Sequence, residues 1–226
     1  MYRVFPVLAA VLLAVSFTAC SKDKEAPKPV AAPAQQAHPT PTVKEVFDRA
    51  VADLRANRLD KALTGFSLII EKAYPGAPER AFSYAYMGQI AFRAGKMEVA
   101  IQNFEAALKE SPEMTPTRMA LGNAYFSVGR VDDAIAAWEK LVKANPNLPT
   151  VHNNLGVAYL EKKRPDKAIQ HLEQTIAQAP ENARAHANLA DAYRQKGMEK
   201  AAQAADRKVA AIRARAEAQA KGRAGG

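Results

Sequence analysis

From residue 43 onward, apolar and polar positions alternate with a helical period, and that short period is nested inside a longer one. Stepping along the chain by 34 residues brings Gly88, Gly122, Gly156 and Ala190 into one register, preceded by Met87, Leu121, Leu155 and Leu189. Three residues after the small position come Ala91, Tyr125, Tyr159 and Tyr193. Twelve after it come Ala100, Ala134, Ala168 and Ala202, and four further on stand Phe104, Trp138, Leu172 and Asp206. Pro112, Pro146 and Pro180 close the units.

Each unit is expected to be a pair of antiparallel helices. Asn57, Gly95, Gly129, Lys163 and Gly197 fall between the two, and all but the lysine are residue types that tolerate the left-handed backbone of a helix C-terminus. Asp60, Glu98, Asp132 and Asp166 follow shortly, where the helix macrodipole favours an acid, and Pro165 suits a helix start. Two helices approach closely only where side chains are small. Gly122 and Ala134 are therefore expected to mark the crossing, with Tyr125 and Trp138 filling the space beside it.

This pattern resembles the tetratricopeptide repeat, a 34-residue unit whose signature includes Leu-Gly, Tyr, Ala, Phe, Ala and Pro. The match is close over 81–182 and weaker at both ends. Residues 43–80 keep Asn57, Ala62 and Phe66 but carry about four extra residues around Tyr74–Pro78, and 183–216 lose the late aromatic and the proline. The resemblance implies an all-α fold, a right-handed superhelix of about five helix-turn-helix repeats over 43–80, 81–114, 115–148, 149–182 and 183–216. One unit cannot bury its own apolar face, so repeats stack on their neighbours and the ends need polar caps. The last helix, from about Glu199 into the 210s, suits a cap, with Ala202, Ala205, Val209, Ile212 and Ala216 on one stripe and a basic, flexible tail expected over 217–226.

The chain in front of the repeats is of a different kind. Residues 1–20, MYRVFPVLAAVLLAVSFTAC, have a basic start, an apolar run too short to span a bilayer and a small-residue end, the form of an export signal. Its last four residues, Phe17-Thr18-Ala19-Cys20, resemble the lipobox of bacterial lipoproteins, with Phe17 in place of the usual Leu. That resemblance implies cleavage before Cys20, acylation of the cysteine, palmitate among its acyl chains, and a lipid anchor. Ser21 in place of Asp implies outer-membrane residence facing the periplasm. Residues 21–42 are rich in Pro, Ala and polar side chains and are expected to be a disordered tether, reaching up to roughly 70 Å when extended.

Composition agrees with this plan. A 226-residue chain that is 48% hydrophobic and 7% aromatic can bury a core without a metal or disulfide, and its single cysteine can make no internal bridge. The net charge of +9 points to anionic lipid headgroups, cell-wall polymers or an acidic protein face. For an exported protein, nucleic acid is not an expected partner.

Catalytic chemistry has no visible constellation. The chain holds no phosphate loop, no nucleophile elbow and no ligand set for a metal, so neither an enzyme nor a cofactor nor a small-molecule substrate is expected. His152 and His186 occupy equivalent repeat positions and read as packing residues. His171 stands on a second helix without a partner at ligand spacing. The resemblance instead directs attention to the surface of the first helices, whose lining would include Lys44, Phe47, Gln89, Arg93, Asn123, Phe126, Asn153, Asn154, Asn188, Asp191 and Arg194. Asn154 and Asn188 are one repeat apart and suit an extended peptide backbone, although the preceding equivalent is Ala120. Lys44 and Arg93 do not reproduce the carboxylate-clamp set of the family. The expected function is a lipid-anchored periplasmic adaptor that assembles or stabilises an envelope complex by holding a protein or peptide segment. The combination is similar to the pilotin lipoproteins that help type IV pilus secretins assemble. The alternative is a module that binds cell wall or anionic lipid through the basic C-terminal helix.

Overall fold

A computed structural model describes residues 40–72 and 77–224. The signal and Cys20, most of the tether and the extra residues at 73–76 lie outside them. Among the described residues there are ten helices and no strand. They are α1 (Val43–Arg55), α2 (Leu59–Lys72), α3 (Pro78–Arg93), α4 (Met97–Glu110), α5 (Thr115–Ser127), α6 (Val131–Ala144), α7 (Pro149–Glu161), α8 (Pro165–Gln178), α9 (Ala183–Gln195) and α10 (Glu199–Ala224).

Each helix packs on the one before and the one after it. In addition α1 touches α3, α3 touches α5, and α7 touches α9. The odd-numbered helices therefore form an inner layer and the even-numbered ones an outer layer, the all-α repeat solenoid that the 34-residue register implies.

Within each pair the seam is a glycine against a large side chain. A Cβ built on Gly88 would lie 2.6 Å from the Phe104 ring, one on Gly122 2.3 Å from the Trp138 indole nitrogen, and one on Gly156 2.6 Å from Leu172. No real Cβ comes that close, so each glycine is what admits its partner. Trp138 lies directly on Gly122 at the crossing, and Ala134, on the same facing helix, is fully buried. The first pair inverts the arrangement. Gly65 on α2 meets Ala50 on α1, where an added Cβ would be 2.8 Å from the Ala50 methyl.

The turn positions behave alike in all five repeats. Asn57, Gly95, Gly129, Lys163 and Gly197 have φ between 55° and 77°. The residue after each sends its N–H back to the helix, as in Arg130 to Tyr125 O at 2.9 Å and Arg164 to Tyr159 O at 2.9 Å. This closes carbonyls that the helix end would otherwise leave open. Lys163 tolerates the strained geometry because this hydrogen bond and the following helix hold it there.

Two further sets of polar bonds join one repeat to the next. The carbonyls of Pro112, Pro146 and Pro180, just past the ends of α4, α6 and α8, accept from Arg118, His152 Nε2 (2.9 Å) and His186 Nε2 (2.9 Å). These three donors share one repeat position, so arginine and histidine do the same work in different repeats. The Tyr125, Tyr159 and Tyr193 hydroxyls donate to Glu105, Glu139 and Glu173 on the preceding outer helix. Burial, and then the glutamate, push the Tyr125 and Tyr159 hydroxyls up to about 12.

At the front, Thr42 caps α1 in a reciprocal box with Glu45. At the back, α10 does not stop near residue 216 but continues to Ala224. Its last turns are mostly Ala, Arg, Glu, Gln and Lys, strong helix formers that carry the helix through Gly222, with no proline to end it. The expected flexible tail over 217–226 is corrected to helix as far as 224.

The seam generates a quantitative expectation. Gly122→Ala will lower unfolding free energy by about 2–3 kcal/mol in chemical denaturation, since the new methyl overpacks against a buried indole. In a Trp138→Ala background the same change will cost less than about 1 kcal/mol, because the obstruction is gone. Equal costs in both backgrounds would show that Trp138 is not what the glycine accommodates.

Candidate functional site

The inner layer carries the sequence-expected residues, but the structure sorts them into separate places. Lys44 is exposed at the start of α1. The Phe47 ring lies 6.1 Å from Phe66, 6.3 Å from Phe82 and 6.1 Å from Tyr86, in an aromatic cluster joining the first two repeats. Gln89 lines a cavity of about 450 Å³ with Phe82, Ala85, Tyr86, Met114 and Pro116. Arg93 lines a smaller cleft with Asn57, Leu59 and Ile90.

The central group does come together. Asn123, Phe126, Asn153 and Asn154 line one open cavity of about 370 Å³, with Phe92, Ser127, Trp138, Val157 and Arg184 completing it. Its floor is aromatic, with the Phe126 and Trp138 rings 5.8 Å apart. Its polar lining is made of the Asn123, Asn153 and Asn154 amides, the Ser127 hydroxyl and the Arg184 guanidinium.

The asparagines do not form a ladder of equivalents. Asn154 Nδ2 donates to Asn123 Oδ1 at 3.1 Å, and Asn188 Nδ2 donates to Asn153 Oδ1 at 3.1 Å. Each amide thus leans on the preceding inner helix in a different register. The arrangement holds the carboxamides in place and leaves the Nδ2 groups of Asn123 and Asn153 without an acceptor among the described residues. Asp191 and Arg194 are occupied otherwise. Arg194 binds Asp191 at 2.7 Å and also Asp206 of α10, so it ties the last pair together and offers little to a ligand.

Arg184 was missed from sequence, as were Phe92, Val157 and the Phe82–Tyr86 surface. Arg184 is exposed in the first turn of α9 and has no carboxylate partner among the described residues. Its equivalents one and two repeats earlier are Thr150 and Pro116, which give no chemical signal. Trp138 packs in the seam, as its repeat position implies. Its indole Nε1 is nevertheless fully buried without a hydrogen-bond partner, held against α5 at Gly122.

Two of the histidines meet across the α7–α8 pair. His171 has a partner after all: its Nδ1 lies 3.0 Å from His152 Nδ1, and its ring stacks on Tyr159 at 5.6 Å. His152 Nε2–H donates to the Pro146 carbonyl, so His152 Nδ1 carries the lone pair and accepts from His171. The equivalent of His171 one repeat on is Ala205, so His186 has no such partner. Among the described residues no group of three or more His, Cys, Asp or Glu is placed to hold a metal ion. Burial and then the neighbouring His152 push His171 down to about 4.

A family model described as tetratricopeptide repeat matches residues 23–215. Solved structures with this architecture include a MamA protein, 22% identical with a TM-score of 0.69, over 75% of this chain and 91% of that one. MamA from residue 41 onward, from Desulfovibrio magneticus RS-1, is 21% identical with a TM-score of 0.68, over 76% and 94%. At that identity the likeness speaks for the fold alone. Among curated proteins none is significantly similar in sequence.

The histidine pair makes a pH prediction. His171 binds its proton less readily folded than unfolded, so its contribution is complete above about pH 6.5 and is lost as pH falls through about 4. Unfolding free energy will fall across that window, by at most about 1.4 kcal/mol per pH unit from this group. His171→Gln will flatten the slope. An unchanged slope in the variant would assign the pH dependence to other groups.

Proposed function

The chain belongs to the tetratricopeptide repeat family, and on that footing we propose that it is a lipid-anchored adaptor of a bacterial cell envelope, holding an extended segment of a partner protein over α5, α7 and α9. Proteins of this family mediate protein–protein interactions and are typically non-catalytic. The observation that carries the reading is the cavity of Asn123, Asn153, Asn154 and Arg184 above the Phe126 and Trp138 rings. Carboxamides donate to and accept from peptide backbone, an aromatic floor receives an apolar side chain, and a free guanidinium suits a carboxylate. The segment that fits is extended and carries an acidic residue beside an apolar one. Its source in this reading is a subunit of an envelope assembly, with pilus or secretion machinery as the specific instance. Support for the envelope comes from residues 1–20 and the lipobox-like end at Cys20, with outer-membrane residence following from Ser21. The tether over 21–42 then gives the repeats reach from the lipid surface.

A photo-crosslinking residue in place of Val157 will yield a discrete adduct in cells. A crosslinker at exposed Lys140 on α6 will not. Combining Asn154→Ala with Arg184→Ala will reduce capture by about 10- to 100-fold, the loss of one or two charge-assisted or amide hydrogen bonds. Capture that survives the double change, or that is equal from Lys140, would place binding elsewhere. Cys20→Ser will move the protein from the membrane to the soluble fraction, and persistent membrane association of the variant would count against acylation at this residue.

A further inference from the structure

Helix α10 carries more than a cap requires. Its buried residues Ala202, Ala205, Val209 and Ile212 lie on one side against α9, and none of the residues from 213 to 221 is buried. The helix therefore runs about three further turns past its last buried residue. Over 199–221 it bears Lys200, Arg207, Lys208, Arg213, Arg215 and Lys221 against Glu199, Asp206 and Glu217.

These charges are sorted by face. At about 100° per residue, Lys200 and Arg207 fall opposite the buried stripe, and Lys208, Arg215 and Lys221 within about 100° of them. The three acids fall within about 20° of one another on a single flank. Asp206 is already paired with Arg194 of α9. Glu181, before α9, is shared by Lys208 at 4.0 Å and Arg215 at 3.1 Å. Lys200, Arg207 and Lys221 have no carboxylate partner among the described residues. Between them on the outward line stand Ala204, Ala211, Ala214 and Ala218, all small, with Ala204, Ala211, Ala214 and Ala218 exposed.

We propose that the outward face of α10 docks on the surface of an anionic lipid bilayer through its row of lysine and arginine side chains. Lys200, Arg207, Lys208, Arg215 and Lys221 lie within about 140° of one another around a 26-residue helix about 39 Å long, so one side of it can face a plane of phosphates. Alanines between the cations let that plane come close. No aromatic residue occurs in α10, so it has nothing to stack on a base, and the part free of α9 has no large apolar side chain to insert. The association is therefore electrostatic, the kind that juxtamembrane basic clusters make with anionic lipid, and salt screens it. It is independent of the groove over α5, α7 and α9.

Amide hydrogen exchange over residues 213–221 of the full chain tests this, since the readout is local to α10 whatever the N-terminus does. With vesicles containing phosphatidylglycerol at low salt, exchange there will slow by about fivefold, the value when about four-fifths of the chains are docked. With phosphatidylcholine vesicles it will not slow. The effect will vanish in about 1 M salt, where the screening length is about 3 Å, and in the variant Lys200→Glu/Arg207→Glu/Lys221→Glu, whose helix content is checked by circular dichroism. No slowing on anionic vesicles overturns the proposal, and so does equal slowing on neutral ones. Slowing by DNA or polyglutamate without slowing by vesicles overturns it in favour of another anionic partner.

Discussion

The structure depends on how closely two helices pass at Gly88, Gly122 and Gly156. At each of them a large side chain from the partner helix occupies the volume where a Cβ would be. Removing one carbon from the inner helix lets a phenyl, an indole or an isobutyl group sit directly on its backbone. The outer helix is thereby anchored at one fixed height and rotation. Buried contacts of this kind follow volume closely, because interiors are packed near crystal density. The cost is visible at Trp138, whose indole N–H faces α5 with no acceptor. Leaving such a group unpaired costs about 1–3 kcal/mol, and the burial of the ring outweighs it.

From that seam the functional surface follows. Trp138 is pinned under Gly122, and its ring meets Phe126 on the inner helix. The two form the floor on which the amides of Asn123, Asn153 and Asn154 are mounted. The inner helices touch one another, so polar side chains from three successive repeats can reach one cavity. Amide-to-amide bonds across helices then restrict each carboxamide before any ligand arrives, which reduces the ordering a ligand would have to impose.

Between repeats the polar bonds recur with the same spacing but not with the same residues. Arginine in one unit and histidine in the next two satisfy the carbonyl of the closing proline. Lys162 with Asp132, and Lys196 with Asp166, repeat an ion pair at the outer turns. These pairs are exposed and contribute little each. The proline carbonyl bonds of His152 and His186 and the glutamate bonds of Tyr125 and Tyr159 are partly buried, and leaving one of their acceptors unpaired would cost more. Chemical identity drifts along the solenoid, while the position that must donate does not.

The helix pairs, their turns and their seams were legible in the sequence because they depend on residue size and backbone tolerance, which recur at a fixed interval. Gly122 and Gly129 announce a close crossing and a left-handed turn without reference to anything distant. The lysine at 163 was identified by register alone and proved to have the same backbone. What the sequence could not settle was which side chains from different repeats share a space. The step from Asn154 to Asn123 is 31 residues and from Asn188 to Asn153 is 35, so neither follows the 34-residue interval. His171 found His152 across a helix pair, at a separation no motif flags. Arg184 entered the cavity through a repeat position that holds proline and threonine elsewhere. Periodicity determined the architecture, since each helix pair is a local object that its own residues specify. The tertiary packing decided the site, because a cavity is defined by distances between helices that no single repeat contains.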